Sequence, residues 1–393
     1  MFPENTASEL EAARTRYHDF IARTRVGESA FRLTEKSESS PYALCFAIFG
    51  LQLLRDEEQL RKHAAAWDEA LRRNLAELRS NRAVAAELGR DKPYLQLLSF
   101  TLSALSVIGT LRHAPLREEV LAMLPANLEQ GLSDAGVFQG RARSGNHAMF
   151  MAILLLHAGQ YLGADTGALV RQWVDLHLRH MNERGFWGNA AGMSHLQFQN
   201  GYHQYEILEY LDHHHPRWDA AAANVAALAD SEGHFAPYPG GGGCYDYDAV
   251  FILTGSPALA QKWRALLMTT RSTILQEQGQ DGGFAESLRI RPRSPGNLLR
   301  SWRHVAASTG VVRRERARMA LTLQRPKHDR IHTHWTAYSR HWGESDLWDS
   351  WFRMLTVARI DATLDESSAA QWGFIDYPGI GFHPSVRGAE RQQ

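Results

Sequence analysis

Two carboxylates two residues apart, Asp246 and Asp248, stand in the stretch GGGGCYDYDAVFIL, where a run of glycines gives way to an apolar helix. An acid at a helix head is favoured by the positive end of the helix dipole and can cap the exposed amides there. One cap needs only one acid. Two acids this close, once screened from water, raise each other's proton affinity, so a member of the pair can keep its proton near neutral pH and act as a general acid. Aromatic residues are dense around this stretch and farther along the chain, among them Trp187, Tyr245, Tyr247, Trp335, Trp342 and Trp348. Such rings can wall a cavity in which positive charge develops, and they can equally pack a core.

Other residues could serve the same or a different chemistry. Asn146-His147 in SGNHAMF and Tyr202-His203 in NGYHQYEIL pair an amide or phenol with an imidazole, and His147, Tyr202 or His203 could take up a proton. Arg289, Arg291, Arg293, Arg300 and Arg303 form the strongest cluster of charge in the chain. Guanidinium forks match diphosphate or carboxylate oxygens, so this loop is where the anionic end of a substrate is expected to sit. His213-His214-His215 precedes Pro216 and reads as the turn after a helix rather than a metal site.

These residues are positioned by a repeat. Phe138, Phe186, Phe235 and Phe284 each follow Gly or Gly-x and each precede a polar loop that runs into a helix-like segment, at spacings of 48, 49 and 49 residues. A fixed period of about 50 residues marks an array of supersecondary units. Nine residues after each aromatic stand His147, His195, Cys244 and Arg293, so equivalent positions of the repeat would aim four reactive side chains at one shared cavity.

Hydropathy alternates along with the repeat. Segments apolar on every side (41–54, 92–111, 145–158, 202–210, 245–253, 295–309, 345–360) are followed by charged amphipathic ones (56–88, 116–132, 166–181, 216–229, 257–278, 312–323). The former belong inside and the latter outside. Strand-type alternation is nearly absent. The fold class expected is all-α, an (α/α)6 toroid of helical-hairpin repeats with a central cavity, closed rather than an open solenoid because the long polar loops fall on one side of the inner helices. One body over 1–393 is expected, with an N-terminal helix in 1–30 and a coil-like C-terminal extension in 361–393.

Two family resemblances follow from these motifs. GQDGGFAES looks like the glycine-aromatic repeat of squalene-hopene-type terpene cyclases and protein prenyltransferase β subunits, and GGGGCYDYDAVFIL resembles the segment that enters an inner helix in those families. The class II cyclases carry an acidic D-x-D-D motif there, whose aspartate protonates an alkene. Asp246-Tyr247-Asp248 matches its first three positions, and Ala249 stands in place of the last acid. In the prenyltransferases the segment supplies zinc ligands, a cysteine two residues after an aspartate. Cys244 is present here, but Gly242 stands where the acid would be, so no metal and no other cofactor are expected. Asn146-His147 and Tyr202-His203 resemble the pairs of (α/α)-toroid polysaccharide lyases such as alginate lyases. That likeness implies Asn146 on a uronate carboxylate and Tyr202 or His147 as the base. The arginine of the lyase pattern is replaced by His195 and Gln199 in the same interval.

Composition excludes several partners. The 43 basic and 43 acidic residues cancel, which argues against nucleic acid or an anionic membrane as the main partner. Two cysteines, Cys45 and Cys244, are too few for a disulfide framework. No uninterrupted apolar run reaches the ~18 residues of a membrane span and no signal region opens the chain, so a soluble cytoplasmic protein is expected. The function expected is a terpenoid cyclase-like enzyme acting on an apolar small molecule with an anionic end. Asp246 or Asp248 would be the acid, and Asn146, His195, Cys244, Tyr245, Trp187, Arg289, Arg291, Arg293, Arg303, Trp335 and Trp342 would contact substrate. A uronate lyase, and a non-catalytic toroid that binds a ligand or peptide, are the alternatives, and a homodimer is compatible with all three.

Overall fold

The computed structural model describes residues 4–80, 91–188, 192–332 and 339–386. From the N-terminus the chain forms α1 (Glu4–Thr24), α2 (Pro41–Leu53), α3 (Glu57–Ser80), α4 (Lys92–Val107) and the short α5 (Arg117–Leu121) and α6 (Leu128–Asp134). Then come α7 (Ser144–Leu162), α8 (Gly167–His180), α9 (His195–Tyr210), α10 (Trp218–Ala226), α11 (Gly243–Leu253), α12 (Pro257–Lys262) and α13 (Arg264–Gln276). The last part holds α14 (Pro295–Ala306), α15 (Gly310–Thr322), α16 (Leu347–Leu364) and α17 (Glu366–Ala369). Strands are confined to β1 (Phe284–Ala285), β2 (Arg330–His332), β3 (Ser339–His341) and β4 (Ser345–Asp346), which pair antiparallel as β1 with β4 and β2 with β3.

Six helices, α2, α4, α7, α9, α11 and α16, are buried along nearly their whole length. Each packs against the next, and α16 packs back on α2, so the inner helices close into a ring. This is the all-α toroid that the alternating hydropathy predicts. The closing seam is aromatic. Trp351 of α16 meets Phe46 and Phe49 of α2 at ring-centroid distances of 5.9 and 5.1 Å, and Phe46 meets Phe100 of α4 at 5.4 Å. Each such side chain contributes about 1.5–3 kcal/mol by leaving water. Outer helices such as α3 bury a single stripe, Leu60, His63, Trp67, Ala70, Leu71 and Leu75, at the spacing of a helix with one apolar face.

Local sequence sets where the inner helices begin. The carboxylate of Asp91 caps α4 at the Tyr94 amide, the hydroxyl of Ser194 caps α9 at Gln197, and Asp346 caps α16 at Asp349. The glycine before each repeat aromatic makes the turn that launches the next unit. Gly136, Gly185, Gly233 and Gly282 all have φ between +74° and +83°. Phe186, Phe235 and Phe284 are buried behind those turns.

Two sequence expectations differ from the structure. Residues 295–309 are not an inner helix. α14 buries only Asn297, Ser301, His304 and Val305, leaves Leu298, Leu299 and Trp302 exposed, and packs chiefly on α15 as an added hairpin outside the ring. Its apolar residues lie on a stripe, whereas inner helices are apolar all round. The C-terminal extension is also not a loose coil over its described length. Trp372, Phe374, Tyr377 and Phe382 are buried, and the Gly373 amide donates to the Leu53 carbonyl at the end of α2. The tail thereby covers the C-terminal ends of the inner helices, and the open mouth is at their N-terminal ends.

Candidate functional site

A cavity of about 360 Å³ lies at the N-terminal end of the ring. It is lined from α4 by Lys92, Gln96 and Phe100, from α7 by Asn146, from α9 by Gln199 and His203, from α11 by Cys244 and Asp248, and from α16 by Trp348 and Phe352. Glu286 follows β1, Arg340 lies in β3, and Ile380 of the tail completes the wall. A larger groove of about 1130 Å³ adjoins it and shares Lys92, Arg143 and Phe150.

The two aspartates of the DYD stretch face different surroundings. Asp246 is fully buried; its Oδ2 is 2.8 Å from His234 Nδ1 and 3.4 Å from Arg353, and its Oδ1 accepts the Phe235 amide. Burial disfavours the imidazolium of His234, but Asp246 and Glu277 outweigh it and hold that group up to about 10. The glycine run makes this possible. Gly240 and Gly241 have φ of +84° and +83°, and a Cβ on Gly241 would stand 2.6 Å from both Asp246 Oδ2 and His234 Nδ1. Asp246 therefore anchors the loop to α16 and α13 and does not line the cavity.

Asp248, about 200° around α11 from Asp246, is 2 % exposed, lines the cavity, and leaves Oδ1 without a hydrogen-bond partner. Burial, with Glu206 and Asp246 nearby, pushes its carboxyl well above the usual carboxylate range. Across the cavity, Glu286 accepts the Tyr238 hydroxyl and pairs with Arg340 at 3.2 Å. Burial and the Asp349 carboxylate raise Glu286 to about 7, against the pull of Arg340. Arg340 is itself clasped by Asp349 at 2.7 Å and by Asp346. A neutral carboxyl and a carboxyl poised near neutrality thus share one partly aromatic chamber.

The remaining candidates are distributed unevenly. Asn146 and His203 meet, amide nitrogen to Nε2, at 2.8 Å, and His203 Nδ1 has no partner. Burial, with Lys92 beside it, lowers His203 to about 3, so its ring is neutral. Cys244 lines the cavity as a thiol whose pKa burial and Asp248 raise. Tyr245 is half-buried and bonds Gln199 at 3.5 Å. His147 lines the larger groove. Tyr202 is fully buried against Tyr247 and Phe251, and Trp187 donates to the His177 carbonyl within the core. His195 is buried and held by Glu315 at 2.9 Å.

None of the five loop arginines lines the cavity, and Arg300 donates to the Arg289 carbonyl. Arg289 pairs with Glu232 and Glu277, Arg293 pairs with Asp329, and Arg291 and Arg303 are exposed. Trp342 bonds the His328 carbonyl beside Tyr238, and Trp335 lies outside the described residues. The four positions nine residues after the aromatics divide the same way. His147 and Cys244 reach the groove and cavity, whereas His195 is capped by Glu315 and Arg293 lies on the hairpin insertion.

Glu286, Arg340, Lys92 and Arg143 are the cavity residues that motif reading missed. Lys92 had a signal, since it opens an inner helix as Cys244 does. Glu286 sits two residues after the fourth repeat aromatic. Arg340 comes from a strand with no periodicity to mark it. Among the described residues, Glu232, His234 and Glu277 bring three possible metal-ligand atoms within 4.8 Å of one another. Arg289 and Arg353, 3.3 and 3.2 Å from Glu277, already neutralise that cluster.

No family model matches the chain, and no curated protein matches it. Solved structures do share its fold. A glycosidase variant is 11% identical with a TM-score of 0.51, covering 92% of this chain and 99% of its own. A glycosidase in complex with glucose is 10% identical, with a TM-score of 0.51 and the same coverage. The type II terpene cyclase MstE from Scytonema, in complex with geranylgeranyl dihydroxybenzoate, is 14% identical with a TM-score of 0.50, covering 93% of this chain and 98% of its own. At these identities the likeness is one of architecture: the chain has the α/α-toroid fold that a terpene cyclase and glycosidases also use.

Proposed function

We propose that this chain is an isoprenoid cyclase-like enzyme in which Asp248 protonates an alkene of a prenyl substrate. One observation supports the reading above the rest: a buried carboxyl, held neutral, with one oxygen lacking a hydrogen-bond partner, on a residue that lines a cavity also presenting Phe100, Trp348 and Phe352. The Asp248 proton passes to one alkene carbon and leaves a carbocation at the other. The π electrons of a second double bond attack that cation, a carbon–carbon bond forms, and the positive charge moves along the chain over the aromatic faces. The final cation loses a proton to the Glu286 carboxylate, and proton exchange with solvent restores both groups. The product is an isomer of the substrate.

A carbohydrate-directed reading has an observation of its own, the pairing of Asp248 with Glu286 in a chamber also lined by Gln96, Asn146 and Gln199. An acid and a second carboxyl are the requirement for glycoside cleavage. Product analysis by mass spectrometry separates the two. Wild type and Asp248→Asn are incubated with linear prenyl diphosphates, prenylated aromatics and, in parallel, glucosides. A cyclised product of unchanged mass, reduced ~10²- to 10⁴-fold in the variant, is expected. Release of sugar with no prenyl conversion would replace the cyclase reading with the second.

A further inference from the structure

The groove beside the acid cavity carries positive charge that no carboxylate among the described residues neutralises. Lys92 and Arg143 line both spaces, and no carboxylate among the described residues lies within ion-pair distance of either. They are close enough that Arg143, after burial, is the main influence lowering Lys92, to about 8. Two unpaired cations side by side at the edge of a cavity are costly unless an anion joins them.

The backbone around them is arranged for the same purpose. Arg143 occupies the N-cap position of α7 with φ +69°, a left-handed conformation unfavourable for a side chain that is not glycine, and it makes no capping bond. Its neighbour Ser144 is 3 % exposed, lines the groove, and has a hydroxyl with no hydrogen-bond partner. An uncapped helix start, an unsatisfied buried hydroxyl and two free cations converge on one spot. Beyond them the groove wall turns apolar through Met123, Leu124, Met151 and Leu154.

We infer that Lys92, Arg143 and Ser144, at the head of α7, form a binding site for a phosphate-type anionic group at the end of the substrate, whose apolar chain runs from this junction into the adjoining cavity, past Phe150 and Phe100, toward Asp248. This rests on the proposed cyclase reading for the chain that follows the anion, but the anion site itself is testable without turnover. It relocates the anionic end from the arginine loop, whose members either have carboxylate partners or lie away from the cavity.

The test is calorimetric titration of the full chain with inorganic pyrophosphate and with geranyl diphosphate. Wild type is expected to bind one pyrophosphate per chain, and Arg143→Gln and Lys92→Gln each to weaken it by about tenfold or more. Ser144→Ala, a smaller change that leaves the charges in place, is expected to weaken it less. Asp248→Asn and Arg291→Gln should bind as wild type does, with circular dichroism confirming that every variant is folded. Geranyl diphosphate should compete with pyrophosphate and bind at least about tenfold tighter, because its chain buries apolar surface in the cavity. Absence of saturable pyrophosphate binding, or weakening by Arg291→Gln rather than by Arg143→Gln, would overturn the anion site. Geranyl diphosphate binding no tighter than pyrophosphate would overturn the placement of the chain. Pyrophosphate binding by the wild type, alongside no cyclisation of any prenyl substrate by that same wild type, would sink the cyclase reading alone.

Discussion

At the scale of residues, Asp248 and Glu286 divide the labour because their surroundings differ. Asp248 has no cation within bonding distance among the described residues, and burial keeps it protonated. Glu286 is bonded by Tyr238 and Arg340 and ionises at about 7. A base works only when ionised, so the rate should rise with pH through about 7 and level off above it, since the acid limb of Asp248 lies higher. Glu286→Gln should remove that rising limb and lower the plateau, as kcat measured from pH 5 to 9 would show; an unchanged limb would remove Glu286 from the mechanism. The raised pKa acts on stability in the opposite sense. A carboxyl that ionises at 4.5 when unfolded and at about 7 when folded contributes fully below 4.5 and loses that contribution as pH rises through 7.

At the scale of elements, the turn before α11 ties loop, helix and ion network together. Gly241 has φ +83° and no room for a Cβ beside Asp246 and His234. Gly241→Ala is expected to cost on the order of 1–3 kcal/mol, from backbone strain and displacement of the buried pair, and to lower the denaturant midpoint without changing the slope. Gly296→Ala, with open space at its Cβ position, is the control and should differ little. The sequence made much of this level legible. Five inner helices and the start of the sixth could be read as segments apolar on every side, and the glycine-aromatic turns as a period of about 50 residues. The period fails after Phe284 because α14, α15 and the β2–β3 ladder are inserted before α16. α14 was misjudged as inner because its exposed Leu298, Leu299 and Trp302 have the composition of a core.

The same limit explains what could be foreseen of the site. The DYD stretch was visible, but which aspartate faces the cavity depends on His234, Glu277 and Arg353, contributed by segments up to 107 residues away from Asp246. Charge density alone pointed to the arginine loop. It could not show that Arg289 and Arg293 have carboxylate partners while Lys92 and Arg143 have none among the described residues.

At the scale of the whole molecule, ring closure leaves one end open and the tail closes the other. Five of the six inner helices place residues from their first halves in the cavity wall, so the positive ends of several helix dipoles meet at the mouth, a field that suits an anionic ligand. The far end depends on residues 372–382. His157 of α7 meets the Tyr377 hydroxyl at 2.9 Å, Arg359 of α16 donates to the Phe382 carbonyl, and Ile380 reaches the cavity. Losing a buried large side chain typically costs ~3–5 kcal/mol, and a domain's total stability is about 5–15 kcal/mol. A chain ending at residue 370 should therefore lose its cooperative melting transition, whereas one ending at residue 386 should melt as the full chain does. Thermal melts followed by circular dichroism would check both.

Cyclisation by this ring requires Asp248 to hold a proton at neutral pH. Infrared difference spectroscopy of the wild type against Asp248→Asn at pH 7 reads that proton. The expected result is a carbonyl stretch of a protonated carboxylic acid that is present in the wild type, absent in the variant, and unchanged on moving to pH 8. A carboxylate band in its place at pH 7 would show Asp248 ionised and would contradict its role as the acid.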